Sequence, residues 1–447
     1  MTLNKKDKSI KEKDKVKTKD KEKKKNKREK KTKDKTKKFS KIKEKLKKIN
    51  IFAKEDDNNY TFKEVVIITI FSLGLGFFTC FSFVKIFNNG RSVFFSDDLD
   101  KIADTYYAIV DNYYGDLDKD ELIESAINGM VSSVGDYYTS YSDSDSTSEF
   151  LETVDGTYEG IGCTVGMNAD EQIVVVEVFA DGPADKAGLK VGDIITKVDG
   201  NDYTDKTSTD VSEYVKNSKN SEIKMTVKRE NNEKEITITR SKVEVPSVFS
   251  KTFEQNNKKV GYLQISIFSS VTANQFKDKL ETLEKENIDS LIIDVRNNGG
   301  GYLSTVTDIA NMLLKKGDII YQLEGSSGTK EKKATNKNGK DYPIAILTNG
   351  NSASASEILA SAIKESYGGY VVGTNTYGKG TVQQTMDLGD GSMIKYTVQK
   401  WLTPDGNWIN ENGVEPTNYV ELNESYYDNP TDENDNQLQT AIDLVTK

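Results

Sequence analysis

Twenty consecutive residues without a charge, Val65 to Val84 (VVIITIFSLGLGFFTCFSFV), bounded by Glu64 and Lys85, constrain this 447-residue chain more than any other feature. As a helix rising about 1.5 Å per residue, such a run reaches roughly 30 Å, the depth of a bilayer core. A buried core helix is the competing reading. A signal peptide would have a shorter apolar stretch followed by small residues, where this chain has Phe81, Phe83, Phe87 and Asn88. The run is therefore expected to be one uncleaved transmembrane helix, 65–84.

Charge gives the orientation. The first fifty residues hold 25 of the 62 Lys and Arg but only 8 of the 71 Asp and Glu, so the net charge of −9 conceals a basic arm and an acidic body. By the positive-inside rule the arm, 1–62, is cytoplasmic and the body extracytoplasmic, a single-pass protein of the cell membrane. The monotony of the arm argues for disorder rather than a folded nucleic-acid reader. Cys80 in the apolar run and Cys163 in the body lie on opposite sides of the membrane boundary, so no disulfide is expected.

The chain contains no histidine. That excludes Ser–His–Asp and Cys–His catalysis and the histidine-based zinc sites of metalloproteases. A hydrolase built from this sequence must find another base.

Past the apolar run, the three- and four-residue spacing of Leu99, Ile102, Ala103, Tyr106 and Ile109, then of Leu122, Ile123, Ala126, Ile127, Met130 and Val131, predicts a helical segment over 97–145. From about 157 the period becomes strand-like. GIGCTV and QIVVVEVF precede GPADKAGLKVGDIITKVDG, in which Pro183–Ala187 reads as a short helix ending at Gly188, followed by a strand, a helix near 207–217 and two more strands. After Pro246, strands at 260–268, 291–295, 343–349 and YVVGT alternate with helices at 272–287, 303–316 and 356–366, and 324–340 reads as a polar loop. That alternation predicts an α/β core with a mixed, mostly parallel sheet over 246–423, and a tail with a short helix over 424–447.

Three segments carry chemistry. The strand 343–349 runs through Asn349-Gly350-Asn351 into SASASEILASAIKES, placing small hydroxyl residues where helix N–H groups are unpaired. Ser352, Ser354 and Ser356 are either helix caps or the setting for a nucleophile with ready oxyanion donors. The strand 291–295 ends in Arg296-Asn-Asn-Gly299-Gly300-Gly301, whose glycines let a backbone N–H approach a ligand. Both loops belong beyond the carboxyl ends of parallel strands, where open sheets bind their ligands. The third segment, Gly373-Thr-Asn-Thr-Tyr-Gly378-Lys379-Gly380-Thr381, nearly matches a phosphate-binding loop, but Gly380 replaces the metal-binding hydroxyl and the following TVQQTMDLGDGS is strand-like. Lys379 is the natural base in a chain without histidine, provided its pKa falls by two to three units from about 10.4.

Together these segments resemble the C-terminal processing peptidases, also called tail-specific proteases, over nearly everything from residue 97 onward. The resemblance implies a ClpP/crotonase-like core, with Ser354 as nucleophile, Lys379 as base 25 positions later, and Gln383 orienting that lysine. One oxyanion donor falls on Gly300, with Gly301 beside it as the alternative, and the other on Ala355. The segments GMVSSVGDYYTSY (129–141), LTPDGNWINENGVEPT (402–417) and DNQLQTAIDLV (435–445) are similar to family segments too. Two departures stand out: Gly299 replaces the usual proline, and Lys216 stands where the family often has a coupling arginine. The unit 157–243, with its approach from 150, resembles an inserted PDZ domain whose Gly160, Ile161, Gly162 and Cys163 receive a peptide C-terminus.

The expectation is thus a membrane-anchored serine endopeptidase that cleaves proteins near C-termini docked on its PDZ domain, with no metal or organic cofactor. A catalytically silent PDZ scaffold is the alternative. The helices 97–131 and 436–446 are candidates for pairing two copies into a homodimer.

Overall fold

The computed structural model describes residues 62–87, 97–230 and 232–447, and their side chains except those of residues 62, 63, 78, 80–87, 97 and 98. The Lys-rich arm lies outside the described residues, as does the side chain of Cys80. Two units can be separated, residues 1–117 and 118–447, and each is described by itself.

In the first unit, the helix Phe62–Phe87 contains the whole uncharged run. Its described apolar side chains stand exposed, Phe71 at 76% and Phe77 at 73%. Among the described residues no helix is long and apolar enough to cross a membrane, so the span expected over 65–84 is not carried by the side chains that are described. A second helix, Asp97–Asn112, follows.

The second unit opens with the helix Lys119–Ser132, whose first N–H groups are capped by the Asp118 carboxylate. The segment to residue 145 is not helical throughout, as its spacing predicts. Ser140–Ser142 is a strand, pulled into register against Met393–Lys395 of a distant strand, and long-range pairing overrides local period there. The helix Ser144–Asp155 then leads to Gly156, at φ 63°, where an added Cβ would lie 2.4 Å from the Ser269 hydroxyl.

Residues 163–239 form an antiparallel sheet in the order Cys163–Met167, Ile173–Val178, Ile194–Val198, Glu222–Arg229, Asn232–Thr239. Alternate inward residues, Val175, Ile195, Met225 and Ile238 among them, bury against Val211 and Val215 of the helix Ser208–Asn217. The short helix Pro183–Ala187 stops at Gly188 because that residue takes φ 84°, open to glycine at no steric cost. A separate ribbon, Thr157–Gly160 against Ser241–Glu244, closes the base of the module.

The remaining chain builds a six-stranded sheet ordered Val248–Gln255, Lys258–Ile265, Ser290–Asp294, Ile344–Thr348, Tyr370–Gly373, Asn418–Tyr419; every pairing after the first is parallel. The central strands are wholly buried, as uninterrupted runs such as LIID and IAIL require when both faces are covered. On one face Leu263, Ile293 and Ile346 pack against Phe276, Ile309 and Leu359 of the crossover helices. On the other, Tyr262, Ile292 and Leu347 are covered by Leu438, Ala441 and Ile442 of the helix Asn436–Val445. That helix is docked by Arg296, which pairs with Asp294 at 2.6 Å and Asp435 at 2.8 Å. Its apolar face is therefore spent within the chain, which corrects its expected use in pairing subunits.

A second, outer sheet joins Thr381–Asp387, Met393–Leu402, Ile319–Gly325, Gly328–Lys333 and Ser140–Ser142. The strand Gly328–Lys333 corrects the polar loop expected over 324–340. All six of its residues are exposed, so no apolar period announces the hairpin.

Candidate active site

Three loops meet beyond the carboxyl ends of the parallel strands: 295–302, 349–354 and 374–380. They and the outer sheet enclose a cavity of about 840 Å³. Ser354, Ala355, Gly299, Gly300, Gly301, Lys379 and Gln383 all line it.

The three serines of SASAS separate by function. Ser352 donates its hydroxyl to the Val295 carbonyl (2.8 Å) and Ser356 to the Asn298 carbonyl (2.8 Å), stitching the serine loop to the glycine loop. Asn298, fully buried, continues the seam to the Ile265 carbonyl at 2.8 Å. Ser354 stands between these two fasteners with φ 56° and ψ −110° at the start of the helix Ala355–Ser361. A non-glycine residue in such a conformation costs of order 1–3 kcal/mol and persists only where its surroundings impose it.

The glycine loop presses on this turn. An added Cβ at Gly300, itself at φ 109°, would lie 2.9 Å from both the Ala353 carbonyl and the Ser354 Cβ. The Gly300 N–H donates to Asn298 Oδ1 at 2.9 Å, so the expected oxyanion donor at this residue is already engaged. The N–H groups of Ala355 and Gly301 have no acceptor among the described residues.

Sequence reasoning passed over Glu357. It is wholly buried and its carboxylate accepts four hydrogen bonds: Ser354 N–H (2.7 Å), Lys379 N–H (2.9 Å), Gly378 N–H (2.7 Å) and the Thr376 hydroxyl (2.6 Å). One carboxylate thus joins the backbone of the serine loop to that of the lysine loop. Burial raises its pKa, and the four donors work against that rise. The signal that could have found it is an acid three residues into a helix that is otherwise small and apolar.

Lys379 lies between Gly378 and Gly380, whose missing Cβ atoms admit the backbone of 410–412 and the Trp408 indole. The loop is not followed by a helix but by the strand Thr381–Asp387, as the departure from a phosphate loop predicts. Its ammonium sits 4.8 Å from the centre of the Tyr138 ring. Burial lowers its pKa below the ordinary lysine value and the Lys395 ammonium lowers it further, against the opposing carboxylates of Glu357 and Asp136. Gln383 donates to the hydroxyls of Thr381 (2.8 Å) and Thr397 (3.2 Å). Among the described residues no cluster of three acids, cysteines or histidines is placed to hold a metal ion.

In the β-rich module, Gly160 ends a strand and Ile161 is buried in the core. The carbonyls of Ile161 and Gly162 accept from Ala184 N–H (2.7 Å) and Phe179 N–H (3.0 Å). Cys163 opens the strand Cys163–Met167, an edge of its sheet, and burial pushes its thiol up to about 12. Lys216 pairs with Glu152 at 2.7 Å, which ties the module to the helix whose Phe150, Leu151 and Val154 line the cavity.

Comparison with known proteins places this geometry. The profile for peptidase family S41 matches residues 259–420, that for PDZ domains residues 160–239, and that for the N-terminal domain of the activating protease CtpB residues 85–146. The carboxy-terminal processing protease CtpB of Bacillus subtilis (strain 168) is 40% identical over 322 residues, 71% of this chain and 67% of that protein. The chain belongs to peptidase family S41. A probable CtpA-like serine protease of Staphylococcus aureus (strain COL) is 35% identical over 80% of this chain and 72% of its own length. The solved photosystem II D1 C-terminal processing protease is 28% identical, aligned over 74% of this chain and 88% of that one, with a TM-score of 0.43. The resemblance read from the motifs is borne out: this is an S41 serine peptidase carrying a PDZ domain.

Proposed function

We propose that this S41 peptidase cleaves proteins near their C-termini with a Ser–Lys pair, Ser354 as nucleophile and Lys379 as general base. One observation carries the reading. In a chain without histidine, the Ser354 side chain and an amine driven toward neutrality by burial face the same cavity. Neutral Lys379 takes the Ser354 proton as Oγ bonds to the peptide carbonyl carbon. The resulting oxyanion is received by the Ala355 N–H and by a glycine N–H of the 299–301 loop; Gly300 serves only if it releases Asn298, whereas the Gly301 N–H needs no release. The Lys379 ammonium then gives its proton to the leaving nitrogen as the C–N bond breaks, and water releases the acyl group from Oγ. Gln383 orients the amine.

Substrate tails dock by adding a strand to the open edge Cys163–Met167, beside the helix Ser208–Asn217, their terminal carboxylate at Gly160–Cys163. The Lys216–Glu152 contact supports communication from that groove to the cavity. The names of the relatives support C-terminal processing as the activity. The uncharged run 65–84 and the exposed apolar side chains of its helix support a membrane anchor with the basic arm inside and the catalytic body outside. The exposed stripe Leu99, Ile102 and Ile109 supports pairing with a second copy.

The test is turnover of fluorescein-labelled casein by the full-length protein beside Ser354→Ala and Lys379→Met. Both variants are expected to lose at least about a thousand-fold in kcat. Turnover equal to wild type in either one ends the Ser–Lys reading.

A further inference from the structure

The turn Asp136–Thr139 comes from the N-terminal part of the second unit, 261 residues before its partner Thr397 in the chain, yet it closes over the lysine. Asp136 Oδ2 accepts the hydroxyls of Thr139 (2.5 Å) and Thr397 (2.6 Å), and Oδ1 accepts the Tyr138 N–H at 3.3 Å. Thr397 has one hydroxyl proton, and it is donated in the hydrogen bond to the carboxylate. The threonine oxygen is left as an acceptor, and it is met by the Gln383 amide nitrogen at 3.2 Å. The same nitrogen donates to Thr381 at 2.8 Å. Both protons of that amide are thereby committed, and the Gln383 oxygen is the end left to accept from an amine in the cavity. A carboxylate at 136 is thus the group that decides which way the amide faces.

We infer that this turn is a working part of the catalytic site, Asp136 acting as a positioning residue that fixes Gln383 through Thr397 while the Tyr138 ring seats the Lys379 ammonium. The inference rests on the Ser–Lys reading and deepens it. The charged and titratable groups around Lys379 are Lys395 from the outer sheet, Glu357 from the serine helix, and Asp136 and Tyr138 from the turn. Tyr377 of the lysine's own loop faces Tyr138, which burial and Tyr377 push up to about 12, so the ring stays neutral. Hydrogen bonds from Thr139, Thr397 and Tyr138 outweigh the burial of Asp136 and hold its carboxyl below the usual range, so it stays ionised. An ionised carboxylate favours the ammonium, so its removal moves the loss of the Lys379 proton to lower pH.

The experiment is the pH–rate profile of the full-length protein on fluorescein-labelled casein, with Thr397→Val, Thr397→Ser and Asp136→Asn. Thr397→Val is expected to lower kcat about ten-fold with KM within about two-fold, and Thr397→Ser to recover most of it, because only the hydroxyl matters. Asp136→Asn is expected to lower kcat similarly and to shift the rising limb to lower pH, further than Thr397→Val does. A purely structural role moves no limb. Thr397→Val with wild-type kcat, or Asp136→Asn with its limb unmoved or raised, overturns the inference. If Asp136→Asn does not fold, the two Thr397 variants decide it. Lys379→Met at full turnover instead fells the Ser–Lys reading, which separates the two failures.

Discussion

In the cleft, the N–H groups of Ser354, Gly378 and Lys379 all end on the buried Glu357 carboxylate, whereas in the PDZ domain the strand Cys163–Met167 has one edge with no partner strand among the described residues. The first region ties its loops to one another through that carboxylate and so holds them in one arrangement. The second keeps donors and acceptors for a partner. One contact between them is modest: a Lys216–Glu152 pair with both side chains about half exposed. Preorganisation belongs to the chemistry and openness to the recognition, so substitutions should fall into two classes, large in the cleft and small at the join.

Glu357→Gln is expected to have the largest effect. An amide cannot accept from four donors, and its own N–H₂ must point at two of them, since each carboxylate oxygen now accepts from two. Leaving buried donors unpaired costs about 2–4 kcal/mol, so a clear drop in melting temperature and a fall in casein turnover of more than about a hundred-fold are expected. A melt and a kcat like those of wild type would show that the two loops hold themselves. Lys395→Met tests the electrostatics alone. Removing the like charge favours the ammonium of Lys379, so the limb on which activity rises should move to higher pH, opposite to Asp136→Asn. The smallest effect is expected at the join: Lys216→Ala should change stability by less than about 1 kcal/mol, since exposed pairs contribute little. Its informative readout is stimulation of casein turnover by a tail peptide, which should weaken while basal turnover persists.

Much of the fold was legible because burial on both faces demands apolar runs, and LIIDV and PIAILTN have no other use. The serine and lysine loops were legible for the same reason, since each follows such a strand. Gly328–Lys333 was not, because an exposed hairpin leaves no period in its residues. Val248–Gln255 was missed likewise, Val248 being buried but the rest of the strand half-buried or exposed. Glu357 hid in a position where an acid ordinarily caps a helix. Asp136 could be quoted within a family-like segment but not assigned work, because its partner Thr397 reaches it only through the pairing of Ser140–Ser142 with the outer sheet.

The chain has two tryptophans, and both indole N–H groups end on the loop that carries the lysine: Trp401 on the Lys379 carbonyl at 2.7 Å and Trp408 on the Gly380 carbonyl at 2.9 Å. The protein's intrinsic tryptophan emission therefore arises entirely at that loop, one fluorophore sealed from solvent and the other partly open to it. Any rearrangement of the loop when a tail docks should be visible as a change in colour or intensity, without a label being added.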